Sequence, residues 1–499
     1  MSEIVEYFGG TEVCAGDVMP WGNMTVEGTK FLICSGLTGR DPNKKQEYPE
    51  LLERDDFTTA DQAALNVCPH NIEDQVVLIL EKYKKLFAEV GTSFDNVFYC
   101  DYYTIRRSDF PTAWRAFKKW MDKECPDWFK RPRPGVLTVQ HGLDHPDMLI
   151  EIKMWATIPE SAGDASTKIN GSRITKWLPG PTLGGDVMPW GHVIIEGNKF
   201  FIPAGLTGRS FGKKQEYPEL LEKESFETVN QVSLTTCPHN IEDQVIIIME
   251  KIKEALHQAG TSFENVFYID YYLTHRHNWP NAFRTMKKYM ARECPDFFER
   301  PRPAVLAILD GLDHPDMLIE IRMWATIPEP VGEASKVTKG SRIAQYFAEP
   351  EVLAGDVMPW GNVIVEGNKW LFCAGMTGRD PNKKQEYPEQ LERDNFSSDD
   401  KVALDTCHHN IEDQVIQILE GYKKSFERAG TSFDNVFLCD YFLTERYNWP
   451  RAWRTFKKWL DRECPGWWKK PKPGVLSIVH GLDHPDMLIE IRMWACIPE

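Results

Sequence analysis

Apolar positions along this chain change spacing several times, and each change marks an element. From Met24 to Thr38 apolar and polar residues alternate about Glu27-Gly28, which predicts a β-hairpin. Between Asn71 and Val90 the residues Ile72, Val76, Ile79, Leu80 and Tyr83 recur at helical steps, and Gly91 follows as a C-terminal cap. Val97–Thr104 reads as a strand and Phe110–Met121 as a second amphipathic helix. Gly135–Gln140 and Met148–Ile158 close the pattern as two strands joined by the turn Gly142–Asp147. The order is ββαβαββ or close to it, an α+β unit with an antiparallel-rich sheet and two helices on one face. The other face of such a sheet is bare.

The pattern then runs twice more. Gly-Asp-Val-Met-Pro-Trp-Gly begins at Gly16, Gly185 and Gly355, and Gly-Leu-Asp-His-Pro-Asp-Met-Leu-Ile-Glu-Ile begins at Gly142, Gly311 and Gly481. Trp21, Trp190 and Trp360 lie 169 and then 170 residues apart, a period the size of a domain rather than of a solenoid repeat. Each unit opens with Ser-x-Ile at Ser2, Ser172 or Ser341 and ends at Glu160, Glu329 or Glu499. Ser161–Gly171 and Pro330–Gly340 read as flexible linkers. The expected domains are therefore 1–160, 172–329 and 341–499, with their bare faces packed around a common axis.

Composition narrows the partners. A net charge of −16 with scattered Lys and Arg disfavours nucleic acid and anionic membranes, because phosphate neutralisation needs a basic field. No stretch approaches the ~20 apolar residues of a membrane helix, and the N-terminal residues lack signal-peptide character. The 12 cysteines show no CxxC spacing and read as reduced thiols, which places the protein in the cytoplasm.

Several local sequences, in order, resemble the reactive-intermediate deaminase family (Rid, older name YjgF). They are Ser35-Gly36 after the second strand, Gln75 running to Gly91-Thr-Ser, Asp109-Phe110, Arg133-Pro-Gly-Val136, and Leu149-Ile-Glu-Ile152. The resemblance covers most of each repeat. It implies α+β architecture with three tandem chorismate-mutase-like (Rid) domains forming an intramolecular pseudo-trimer, with pockets between neighbouring units. A higher oligomer is compatible with it. It further implies an arginine that binds a substrate carboxylate, matching Arg133 and Arg302, with Lys472 in the third repeat. Lysine there lacks the two-pronged fork that fits a carboxylate. It implies a glutamate that positions or activates water for imine hydrolysis, matching Glu151, Glu320 and Glu490. Trp21, Trp190 and Trp360 stand where the family has Tyr. Trp114, Phe283 and Trp453 align with a family Asn, so an aromatic pocket for a small planar, carboxylate-bearing substrate is expected. Gly135, Ala304 and Gly474 replace the cysteine of some members, which removes thiol chemistry at that point.

Other triplicate residues admit two readings each. His145, His314 and His484 precede the glutamate strand and could act as acids or proton shuttles, or simply complete a turn. His141 and His480 lie four residues earlier, where the middle repeat has Asp310. Arg40, Arg209 and Arg379 could contact an anion or form solvated salt bridges. They lead into the Lys44, Lys213 and Lys383 loops, read as a lid or clasp. His70/Glu73, His239/Glu242 and His409/Glu412 have a metal-ligand spacing, but Asn71 with Asp74 reads more simply as a helix N-cap. No metal or cofactor is assigned.

The leading expectation is a hydrolase of C–N bonds acting as a deaminase on an imine, an enamine or a planar amino acid. A ring-amide hydrolase of the cyanuric acid hydrolase and barbiturase architecture is a second reading. Its serine would be Ser93, Ser262 or Ser432, for which no lysine partner is evident. A non-catalytic small-ligand-binding module is the third.

Overall fold

A computed structural model describes residues 2–9, 22–28, 30–46, 65–130, 133–143, 146–158, 172–179, 191–197, 199–209, 214–215, 234–235, 237–299, 302–328, 341–348, 361–367, 369–385, 404–467 and 472–498. Both linkers lie outside these residues. So do Trp21, Trp190, Trp360 and His145, and most of the loop that follows Arg40 and its equivalents.

Each repeat contributes two long helices: α1 (Ile72–Val90) and α2 (Phe110–Glu124), α3 (Ile241–Gln258) and α4 (Trp279–Glu293), α5 (Ile411–Ala429) and α6 (Trp449–Glu463). Asn71 caps α1 through its side-chain oxygen, which accepts from the Asp74 amide at 2.8 Å, and Asn240 and Asn410 do the same for α3 and α5. The capping explanation of the His-Asn-Ile-Glu-Asp segments is thus the one realised. His70 and Glu73 point to solvent. Gly91 ends α1 with φ 81°, a left-handed conformation that glycine adopts without strain.

The central strands match the expected ones closely. In the first repeat they are Val97–Thr104, Leu137–Val139 and Ile150–Thr157, with the first and last antiparallel and the first two parallel. Ile150, Ile152 and Met154 bury against the helix residues Val76, Ile79, Tyr83 and Phe117. Because side chains alternate along a strand, Glu151, Lys153 and Trp155 take the opposite face.

The expected hairpin at Glu27-Gly28 does not form. The strands Gly22–Gly28 and Lys30–Thr38 are separated by one residue yet belong to different sheets. Gly22–Gly28 pairs with Ser2–Gly9 and with Lys199–Ile202 of the second repeat. Lys30–Thr38 pairs with Ile150–Thr157 and with Gly361–Gly367 of the third repeat. Gly191–Gly197 pairs with Lys369–Thr377 in the same way. Each repeat therefore lends its first two strands to another repeat, and the exchange closes in a cycle. Alternation alone could not reveal this, since a strand alternates alike whichever neighbour it pairs with. The result is three seven-stranded sheets among the described residues, each built from more than one repeat.

Candidate functional site

The unhelical faces of the three sheets meet, and the side chains they bring together change character level by level. At the first level Trp155, Trp324 and Trp494 stand edge to face with ring centroids 5.8–6.0 Å apart, which fixes the common axis. Beside them is a cavity of about 50 Å³ lined by Phe31, Ile33, Phe98, Trp155 and their equivalents. Trp114, Phe283 and Trp453 are not among these lining residues, and Trp21, Trp190 and Trp360 lie outside the described residues. The described residues of its walls are all aromatic or aliphatic.

Two residues along each strand the face turns ionic. Asp101, Asp270 and Asp440 alternate with Arg322, Arg492 and Lys153, each at most 3% exposed. Arg322 binds Asp270 of its own repeat at 2.6 Å and Asp101 of the first repeat at 2.8 Å. Arg492 binds Asp440 and, at 3.1 Å, Asp270. Lys153 ends the series by reaching Asp440 at 3.0 Å, with Asp101 opposite it on the adjacent strand. Burial alone would raise the Asp440 carboxyl, but Lys153 and Arg492 outweigh it and hold it below the ordinary value. Burial lowers Lys153, and Asp440 opposes that shift. Sequence reading missed this ring. Its signal was an aspartate in the middle of an otherwise apolar strand, repeated three times in register.

At the third level sit Glu151, Glu320 and Glu490, each 4% exposed. Glu490 lies between Thr377 and Phe442 on adjacent strands, and Glu151 between Thr38 and Tyr103. Room for the carboxyl comes from Gly36, Gly205 and Gly375. A β-carbon on any of them would stand 1.6–1.7 Å from the glutamate Oε1. These glycines also face the next repeat: the Gly36 amide donates to the Gly474 carbonyl at 3.1 Å, and Gly205 to Gly135 at 3.0 Å. The glutamates and the Arg/Lys-Pro-Gly/Ala-Val segments therefore come together across repeat boundaries.

The electrostatics there are unusual for carboxyls. Burial lifts Glu490 to about 8, with Asp483 adding to the rise and Arg492 opposing it. Burial likewise raises Glu320 well above the carboxylate range, against the pull of Arg322 and with the help of Asp313. Asp483 is itself raised by burial, opposed by Arg379 of its own repeat and by Arg276 of the second. Arg379 lies 3.9 Å from Asp483. Arg276 crosses the boundary and donates to the Leu482 carbonyl at 2.8 Å, and Arg107 and Arg446 make the equivalent crossings to Leu312 and Leu143. These three arginines were also missed.

The structure separates the remaining expected site residues. Arg133 is 5% exposed and donates to the carbonyls of Trp128, Phe94 and Val97, with its guanidinium 3.8 Å from the Trp128 ring centre. Arg302 donates to the Val266 and Phe297 carbonyls with its guanidinium over the Phe297 ring, and Lys472 donates to the Trp467 carbonyl and lies over that ring. The side chain that resembles a carboxylate anchor thus binds the interior of its own repeat. Trp114, Phe283 and Trp453 are packed in the apolar cores under α2, α4 and α6 rather than against the glutamates. Arg40, Arg209 and Arg379 are at most 2% exposed, which removes the solvated salt-bridge reading. His314 and His484 are buried and sit 3.2 Å from Asp313 and Asp483. Ser93 and Ser262 accept from Asn96 and Asn265 within their own turns. All 11 cysteines among the described residues are buried, and burial raises the thiols of Cys100, Cys373, Cys407 and Cys439. No helix among the described residues is long and apolar enough to cross a membrane.

No protein-family model matches this chain, and no curated relative does. Among solved structures it is similar to a chorismatase, at 9% identity and a TM-score of 0.37, over 80% of this chain and 93% of that one. It is also similar to the YjgF gene product of E. coli, at 15% identity and a TM-score of 0.19, over 25% of this chain and 79% of that one. E. coli TdcF with bound serine is similar at 18% identity and a TM-score of 0.18, over 25% and 79% of the two chains.

Proposed function

We propose that this protein hydrolyses the C–N bond of an imine or enamine at sites between its repeats, with Glu151, Glu320 and Glu490 as the proton-transfer groups. One observation carries the reading: buried carboxyls at repeat boundaries, two of them raised far above the carboxylate range. A group at about 8 is mostly protonated at neutral pH, so it begins the reaction as an acid. The glutamic acid gives its proton to the imine nitrogen, which makes the carbon electrophilic. The resulting carboxylate takes a proton from water as the water oxygen bonds to that carbon. The glutamic acid then protonates the amino nitrogen of the carbinolamine, the C–N bond breaks as the hydroxyl gives its proton to the carboxylate, and the products are a carbonyl compound and ammonia, with the glutamic acid restored.

Arg379, 3.9 Å from Asp483, and its equivalents Arg40 and Arg209 are taken as the anchor for a substrate carboxylate. His484, 3.2 Å from Asp483, positions that carboxyl. The serine reading loses ground, since Ser93 and Ser262 are held in turns.

The test is turnover of a panel of imines and enamines by the combined variant Glu151→Gln, Glu320→Gln and Glu490→Gln. The expected loss is about 10²–10⁴-fold, the usual contribution of a positioned acid–base group, with circular dichroism unchanged. In the wild type kcat/KM should fall as pH rises through about 8, because the acid form is then lost. Undiminished turnover in the triple variant would overturn the assignment, and binding without product in the wild type would favour the ligand-binding reading.

A further inference from the structure

His141, Asp310 and His480 occupy one register position, one in each repeat, and the fold brings them to a single point. His141 Nδ1 lies 3.1 Å from Asp310 Oδ2, and His480 Nδ1 lies 3.1 Å from Asp310 Oδ1. All three ligand atoms fall within 4.8 Å of one another, and the two imidazole rings are 6.0 Å apart. Equivalent positions of a cyclic arrangement can touch only on its axis, so this cluster caps the axis beyond the glutamate level. We propose that it is a binding site for one borderline divalent transition-metal ion, of the Zn²⁺, Co²⁺ or Ni²⁺ type.

The donor set supports this. Two imidazoles and one carboxylate suit such ions, whereas Mg²⁺ and Ca²⁺ favour all-oxygen shells. Donors bound at about 2.1 Å and separated by tetrahedral or octahedral angles stand roughly 3.0–3.4 Å apart, and the observed N···O separations already have that length. The side chains are 34–64% exposed, so an ion can enter and water can fill the positions left by the protein.

The backbone beneath is held by pairing between repeats. The Asp310 amide donates to the Val139 carbonyl at 3.0 Å, and Ile308 and Gly481 exchange hydrogen bonds at 3.0 and 3.2 Å. Gly311–Leu312 pairs with the strand of the first repeat, and Gly142–Leu143 with that of the third. The ligands therefore leave adjoining, mutually tied strand ends, which is the preorganisation a metal site needs. The sequence difference among the repeats acquires a role: three histidines would lack the carboxylate, and three aspartates would lack nitrogen donors. A bound ion would join all three repeats at one end of the axis.

The experiment uses untagged full-length protein, stripped with a chelator and titrated with Co²⁺, alongside Asp310→Asn and the His141→Gln/His480→Gln double variant. The expected result is one equivalent of Co²⁺ in the wild type, with a visible d–d spectrum distinct from aqueous Co²⁺. Zn²⁺ should displace it and Mg²⁺ should not. The double variant should lose the spectrum, and Asp310→Asn should weaken binding at least tenfold. Zn²⁺ should raise the wild-type Tm and leave that of the double variant unmoved. No visible spectrum in the wild type at millimolar Co²⁺, or the same stoichiometry in the double variant, would overturn the proposal and leave a plain His–Asp–His hydrogen-bond cluster.

Discussion

Lys153 stands where the other repeats have Arg322 and Arg492, and the reason lies in a different repeat. Arg322 reaches Asp101 beside Tyr99, and its guanidinium donates to that hydroxyl at 3.0 Å. Arg492 reaches Asp270 beside Tyr268 and bonds that hydroxyl too. Lys153 reaches Asp440, and the residue in the tyrosine position there is Leu438. The long fork goes with a hydroxyl to receive it, and the single ammonium goes with an apolar neighbour. Lys153→Arg alone should overpack the site, and Leu438→Tyr alone should bury a hydroxyl without its donor. Each should cost about 1–3 kcal/mol. Combined, they should recover about 0.5–3 kcal/mol of coupling, read from unfolding of all four proteins. Additive effects would show that the two positions do not act together.

A strand irregularity is what delivers the glutamate to its place. Lys30–Thr38 shifts register between Ile33 and Gly36, and Tyr83 fills the space beneath, bonding the Ser35 and Ile152 carbonyls at 3.0 and 2.9 Å. Tyr422 repeats this under Ala374 and Ile491. In the second repeat Pro203 sits at the same point, and the strand breaks into Lys199–Ile202 and Leu206–Thr207. A bulge re-aims the chain, and here it brings a glycine over each carboxyl. Alanine at Gly36, Gly205 and Gly375 together pushes each carboxyl aside, and at Gly205 it also presses on Val136 of the first repeat, so folding is checked by circular dichroism. It should cut turnover at least tenfold by misplacing the acid. Unchanged kcat in a folded triple-alanine variant would show that the carboxyl position does not matter. Helices, caps and central strands were legible because local period and capping chemistry specify them. The bulge was not, because it depends on which strand lies alongside.

At the scale of the whole molecule, exchanged strands and the ionic ring make each repeat depend on the others. Cut out alone, residues 172–329 would present Lys199–Ile202 without Gly22–Gly28 along one edge and Arg322 without the neighbouring aspartate. Three copies can satisfy both needs by closing the same cycle, with Arg322 of each reaching Asp270 of the next. Light scattering of the isolated repeat should therefore give a trimer, and a stable monomer would show that the exchange is not required. Of the candidate site, Glu151, Glu320 and Glu490 were visible as residues, and so was the expectation that they sit between repeats. The inward turn of Arg133, the core placement of Trp114, and the ring through Asp101 were not. The sequence by itself determined the threefold repetition, the helices with their caps, and the strand faces, because these follow from short-range period and backbone hydrogen bonding. Only the tertiary structure decided which strands pair, which charges meet in the interior, and that His141, Asp310 and His480 converge. Those outcomes depend on contacts between residues more than a hundred positions apart, and local spacing carries no record of them.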